Sequence, residues 1–155
     1  MIKSCAFSGH RILDDNFDIE VLDRKIKELI DSGTEVFYCG MAKGFDLIAA
    51  ECVLKYKKKY ALKLIACIPC LDQTKYYSYA DKFRYGKILG CCDDKIIVAP
   101  DYYDGCMQER NKIMVDRADA VLAYLSRKSG GTYFTVNYAE KQGKKIILIN
   151  EKSPL

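Results

Sequence analysis

The sequence predicts an α/β domain in three layers, with helices on both faces of a mainly parallel sheet. Three observations predict it. Short apolar runs such as 2–7, 36–39 and 118–125 recur along the chain. Between them lie longer stretches whose apolar residues return at helical spacing. The glycines, the single histidine and the unusual arginines gather in the loops that follow the apolar runs. Alternation of this kind implies parallel strands joined by helical crossovers, with both sheet faces covered. At 155 residues the chain is long enough to bury a core without staples. One domain over residues 1–150 is expected, with 151–155 as a short tail.

The elements follow in order. Ile2 to Phe7 reads as a buried strand ending at Ser8-Gly9-His10-Arg11. Asp14, Asp15 and Asn16 are helix-start candidates, and Ile19, Leu22, Ile26, Leu29 and Ile30 make one helix face. Gly33 stops that helix. Val36 to Cys39 is a second strand. The loop from Gly40 to Asp46 leads into a helix through Ile48, Ala49, Cys52, Val53 and Tyr56. Ala61 to Ile68 is a third strand, stopped by Pro69, and a tyrosine-rich helix is expected from about Gln73 to Leu89. Asp94 to Val98 is a fourth strand, 101–105 a polar loop, and Met107 to Arg117 a helix. Ala118 to Leu125, a helix over 132–142, and Lys145 to Ile149 complete the pattern.

Composition excludes several functions. No run approaches the roughly 20 apolar residues that cross a bilayer, and the first residues lack the apolar core of a signal peptide. The chain therefore reads as cytoplasmic, with no membrane partner. A net charge of +4, without an arginine-and-aromatic patch, argues against nucleic acid. Eight cysteines in such a protein read as buried thiols. Cys67-Ile-Pro-Cys70 and Cys91-Cys92 are the best zinc candidates, but an adjacent pair suits tetrahedral ligation poorly, so no metal is expected.

In an open parallel sheet, ligands bind at the carboxyl ends of the strands, near the point where strand order reverses. The loops after the strands carry residues suited to anion chemistry. Ser8, Gly9, His10 and Arg11 offer a tight turn and a guanidinium able to grip phosphate or carboxylate in two-pronged fashion. Gly40, Met41, Gly44, Phe45 and Asp46 form a glycine-bracketed turn into a helix, whose first N–H groups favour anions. Asp46 either caps that helix or accepts a ribose hydroxyl, capping being slightly preferred. Arg110 and Asn111 lie early in a later helix. Gly130, Gly131 and Thr132 make a second glycine turn after the fifth strand. Neither turn has the glycine spacing of a dinucleotide fingerprint or the Gly-Lys-Ser/Thr order of a Walker loop. Tyr76, Tyr77, Tyr79 and Tyr85 read either as base-stacking rings or as packing residues, packing being the commoner use.

The ordered set Ser8-Gly-His-Arg, Gly40-Met-Ala-Lys-Gly-Phe-Asp, Arg110-Asn, Asp119-Ala-Val-Leu-Ala-Tyr and Gly130-Gly-Thr resembles the SLOG superfamily over residues 2 to about 149. The nearest branch is the bacterial or prophage one represented by the YpsA and YoqJ proteins. Lonely Guy phosphoribohydrolases and the DNA-processing protein DprA are more distant. The resemblance implies a Rossmann-like fold that binds a nucleotide-derived ligand, ADP-ribose-like, NAD-like or a nucleoside phosphate, with no separate cofactor required. It also implies, less firmly, self-association. The binding turns would be Ser8 to Arg11, Gly40 to Asp46 and Gly130 to Thr132. Catalysis transfers poorly, because Thr135 falls where the Lonely Guy motif has its glutamate, and threonine is no acid or base at neutral pH.

The leading expectation is a non-catalytic module that senses or sequesters such a ligand. The alternative is an N-glycosidic hydrolase acting on nucleotides. His10 would be its base, with Asp46 or Asp119 orienting water. Single-stranded DNA binding is third.

Overall fold

The computed structural model describes residues 1–150, and the expected tail at 151–155 lies outside the described residues. Six strands and five helices alternate: β1 Ser4–Gly9, α1 Ile19–Asp31, β2 Val36–Cys39, α2 Phe45–Lys57, β3 Lys63–Cys70, α3 Tyr79–Cys91, β4 Asp94–Ala99, α4 Cys106–Arg117, β5 Ala120–Tyr124, α5 Gly130–Lys141 and β6 Lys145–Leu148. The sheet order is β4-β3-β2-β1-β5-β6, and every pairing is parallel. The chain steps outward from β1 to β4, and α4 then carries it back to β5 on the other side of β1. The strand order therefore reverses between β1 and β5. Their loops diverge there and leave a crevice at the carboxyl edge.

Alternation along each strand sorts the core into two layers. Cys5 and Phe7 of β1, with Leu122 and Tyr124 of β5, pack with Leu22 and Ile26 of α1, Leu47 of α2 and Ile88 of α3. Ala6, Val121 and Ala123 face the opposite way, onto Met114 and Val115 of α4 and Val136 and Ala139 of α5. The first layer is the aromatic one. Phe7 stacks on Phe37 at 5.6 Å and meets Phe45 edge-on at 6.4 Å, pairs worth about 1 kcal/mol each beyond their burial.

The element boundaries depart from the sequence reading where side chains have other work. Helix α1 starts after Asp18, whose carboxylate accepts the Glu20 N–H at 2.9 Å. Asp14 is instead spent on the Asn16 N–H and on the Tyr124 hydroxyl. Strand β3 runs through Pro69 to Cys70. β2 has already ended opposite Ala66, so beyond that point β3 has no neighbour on that side to lose a bond. Helix α3 begins only after Ser78, whose hydroxyl accepts the Asp81 N–H, because residues 71–76 are turns. Helix α5 starts two residues early, at Gly130.

Candidate ligand site at the switch point

Two hydrogen bonds pull the β1 and β5 loops together beneath the crevice. Nε2 of His10 accepts the Ser126 N–H at 3.0 Å, and the Tyr124 hydroxyl donates to Asp14. His10 is 3% exposed and sits edge-on to Tyr124. Burial pushes its pKa below the ordinary histidine value, Arg127 adds to the effect, and Asp14 partly offsets it. A neutral imidazole whose Nε2 accepts carries its proton on Nδ1. The proposed base therefore has its basic lone pair occupied by the backbone. This corrects the expectation for His10, whose bond ties the two loops. Asp119 is corrected too: its carboxylate takes the Lys3 and Ser4 N–H groups at the opposite, amino end of the sheet.

Above these bonds lies a cleft of about 360 Å³, inside the usual size range of small-molecule sites. Ser8, Gly9, His10 and Arg11 line one wall, and Gly131 and Thr132 of α5 another. Asp46, Arg110 and Asn111 close the floor, and Arg127 stands at the β5 side. The structure thus gathers residues from four of the loops read in the sequence. Arg127 was missed. Its one signal was its place in the same loop as Gly130, where beside Lys128 it reads as a solvated charge.

The two glycine turns behave differently. No side chain caps the first turn of α5 among the described residues, and that turn contains no acidic residue. A methyl group at Gly131 would meet nothing within 4 Å. Thr132 is 4% exposed at the cleft wall. An open helix start of this kind, flanked by Arg11 and Arg127, suits an anion.

The Gly40–Asp46 turn is filled by the protein itself. A methyl at Gly40 would lie 2.8 Å from the Arg110 guanidinium, which donates to the Gly40 carbonyl. Gly44 has φ +80°, and a methyl there would fall 2.3 Å from the Arg11 carbonyl oxygen. The first N–H of α2, from Phe45, donates to the His10 carbonyl at 3.2 Å. Met41 and Phe45 are fully buried core residues. Gly40, Met41, Gly44 and Phe45 are therefore corrected from ligand contacts to the frame that holds Arg110 and the β1 loop.

Asp46 is the exception in that turn. It caps no helix: the N-cap is Gly44, which makes no side-chain capping bond. One carboxylate oxygen, Oδ2, accepts the Ala42 N–H at 3.2 Å. The other, Oδ1, is buried with no hydrogen-bond partner among the described residues. Burial raises its pKa to about 6, against the lowering pull of Arg110, the Ala42 N–H and Arg11. A buried acceptor left unpaired beside a cleft is costly. Arg110 is satisfied internally, through the Gly40 carbonyl and, at 2.7 Å, the Asn111 side chain.

Comparison with known proteins fits this architecture. The family model described as YspA SLOG family matches residues 16–152. The chain belongs to that family. The matched segment begins after Arg11, so the place of the Ser8–Arg11 turn in the site rests on the geometry above. The chain is 32% identical over 130 residues to the prophage-derived protein YoqJ of Bacillus subtilis, covering 75% of this chain and 76% of that protein. It is 30% identical over 129 residues to the UPF0398 protein BH1768 of Halalkalibacterium halodurans, covering 79% and 67%.

Among solved structures, DprA of Streptococcus pneumoniae superposes with a TM-score of 0.70 at 20% identity, over 94% of this chain and 49% of that one. DprA of Helicobacter pylori, described for its single-stranded DNA binding mode, gives a TM-score of 0.70 over 94% and 64%. The chain thus spans about half to two thirds of the DprA chains, and at this identity the likeness shows the Rossmann-like fold alone. Among the described residues no helix is long and apolar enough to cross a membrane, and no three His, Cys, Asp or Glu side chains are grouped to hold a metal.

Proposed function

We propose that the protein binds a nucleotide-derived small molecule in the cleft between β1 and β5. A phosphate rests on the α5 turn, Arg11 and Arg127 supply charge, and a ribose hydroxyl reaches the buried Asp46 Oδ1 once the wall around it shifts. The observation that carries this reading is the pairing of an uncapped helix start with a buried, unpartnered carboxylate oxygen across one small cleft. An anion suits the first and a hydroxyl the second, and a sugar phosphate carries both. Calorimetry with ADP-ribose and nucleoside monophosphates tests it. Gly131→Asp puts a carboxylate where the phosphate sits, its Cβ entering open space. It is expected to weaken binding at least tenfold, and an unchanged affinity would sink the reading.

Asp46 also favours a second reading, hydrolysis of the same ligand. A carboxyl held near pH 6 by burial at a cleft wall is poised for proton transfer, so Asp46 replaces His10 as the group to watch. Single-stranded DNA is the competing ligand, since a protein of the same fold binds it. Beside that neighbour, net charge alone is a weak ground for setting nucleic acid aside. A steep loss of affinity with salt distinguishes a strand from a small ligand.

A further inference from the structure

A second chamber of about 440 Å³ adjoins the cleft, and Arg11, Ala42 and Met107 line both. Its walls come from the loops after β3 and β4, held together by the Leu71 N–H donating to the Pro100 carbonyl at 3.2 Å. The chamber is aromatic and basic: Tyr76, Tyr77 and Tyr102 stand with Arg11, Lys43 and Lys75. Tyr77 is committed to the fold, its hydroxyl bonded to the Met41 carbonyl at 3.0 Å and its ring set edge-on to Tyr85. Tyr76 and Tyr102 instead have partners close in sequence, the Lys75 ammonium 5.4 Å over the Tyr76 ring and Asp104 accepting from the Tyr102 hydroxyl at 3.4 Å, and they are 85% and 55% exposed. The acid on the wall, Asp72, takes a hydrogen bond from the Cys70 thiol. Arg11 stands at the boundary, with Nη2 leaning on the Met107 sulfur at 3.7 Å.

Exposed rings with cations beside them are the chemistry that takes a base and its phosphates. Building on the ligand reading above, we infer that this chamber is a nucleobase subsite. The base stacks on Tyr76 and Tyr102, and its phosphates cross Arg11 to reach the sugar-phosphate site at α5. The ligand class is then a nucleoside diphosphate joined to a second sugar, rather than a bare sugar phosphate or a mononucleotide. A continuous strand is the competing occupant of the two adjoining chambers, and the test below separates it from a small ligand.

The test is calorimetry of the full chain with two probes, ADP-ribose and ribose 5-phosphate. Tyr76→Ala and Tyr102→Ala remove exposed rings and leave the core intact. Each is expected to weaken ADP-ribose binding about tenfold, the scale of one lost base stack, and to leave ribose 5-phosphate binding unchanged. Tyr102→Phe, which keeps the ring, should bind both probes like the parent. If ADP-ribose affinity survives both alanine variants while Gly131→Asp abolishes it, the base subsite is overturned and the anion site stands. Equal losses for both probes would also overturn the subsite, as a structural effect. Failure of the parent protein to bind either probe would overturn both readings. An eight-nucleotide single strand that binds far more tightly than ADP-ribose, and is lost in Tyr76→Ala, would give the chamber to DNA instead.

Discussion

Gly40–Asp46 and Gly130–Thr132 look alike as sequence: each is a glycine turn between a buried strand and a helix. In the folded chain they do opposite things. At Gly40 and Gly44 the missing side chains let protein approach protein, the Arg110 guanidinium in one case and the His10–Arg11 backbone in the other. The α2 start is spent on the His10 carbonyl. At Gly131 the missing side chain leaves room, and no side chain among the described residues caps the helix start. One turn frames the cleft and the other opens onto it. A glycine signals that something must come close, and only the fold decides whether that is the chain or a guest.

The comparison breaks most visibly at Gly44. Gly44→Ala forces φ +80° on an L-residue and drives a methyl to 2.3 Å from a backbone oxygen. Neither can relax without moving the β1 loop that carries His10 and Arg11. A loss of roughly 4 kcal/mol is expected, read as a large fall in the urea midpoint with an unchanged slope. A loss below about 1 kcal/mol, the ordinary helix-propensity scale, would mean that this turn is no more framed than the other.

Asp46 sharpens the comparison, because it belongs to the framing turn yet faces the cleft. Its pKa rises on folding from 3.8 to about 6. A raised carboxyl pKa favours the folded state at low pH. That advantage is lost as pH rises through about 6, because the folded chain must then hold a buried charge. Asp46→Asn stays neutral throughout. The variant should match the parent near pH 4 and exceed its stability by about 3 kcal/mol at pH 8. Taking the difference between the two proteins cancels the opposite contribution of His10, whose depressed pKa costs stability as pH falls. A difference that does not change with pH would show that Asp46 is not buried as a charge.

How far the sequence reveals this division differs from residue to residue. The apolar runs locate all six strands and their alternation with helices, because burial on both sheet faces leaves little room for polar residues. They do not reveal strand order, and so cannot say that β1 and β5 are the neighbours between which the order reverses. Pro69 reads as a stop because the sequence does not show that β2 ends first. Asp14 reads as a cap because Tyr124, its partner, lies 110 residues away. His10 lines the cleft, but as sequence it reads as a base because the Ser126 N–H that fills its lone pair comes from another loop. The glycine-led helix start at 130–132 is legible from local chemistry alone. The unpaired oxygen of Asp46 was not, being a fact about everything packed around it.

The smallest expected effect is the most direct contrast with Gly44. At Gly131 no positive φ is imposed, and an added methyl meets nothing within 4 Å. Alanine also prefers the helix over glycine by up to about 1 kcal/mol, though at the second position of α5 only part of that is gained. Gly131→Ala should therefore leave the denaturation midpoint unchanged or raise it slightly, by roughly 0.5 kcal/mol. The same methyl projects into the cleft where an anion would approach the helix start, so any cost should fall on ligand affinity rather than on the fold. A stability loss above about 1 kcal/mol would put Gly131 in the same class as Gly44, a glycine the chain needs for itself. The distinction between a framing turn and a binding turn would then collapse.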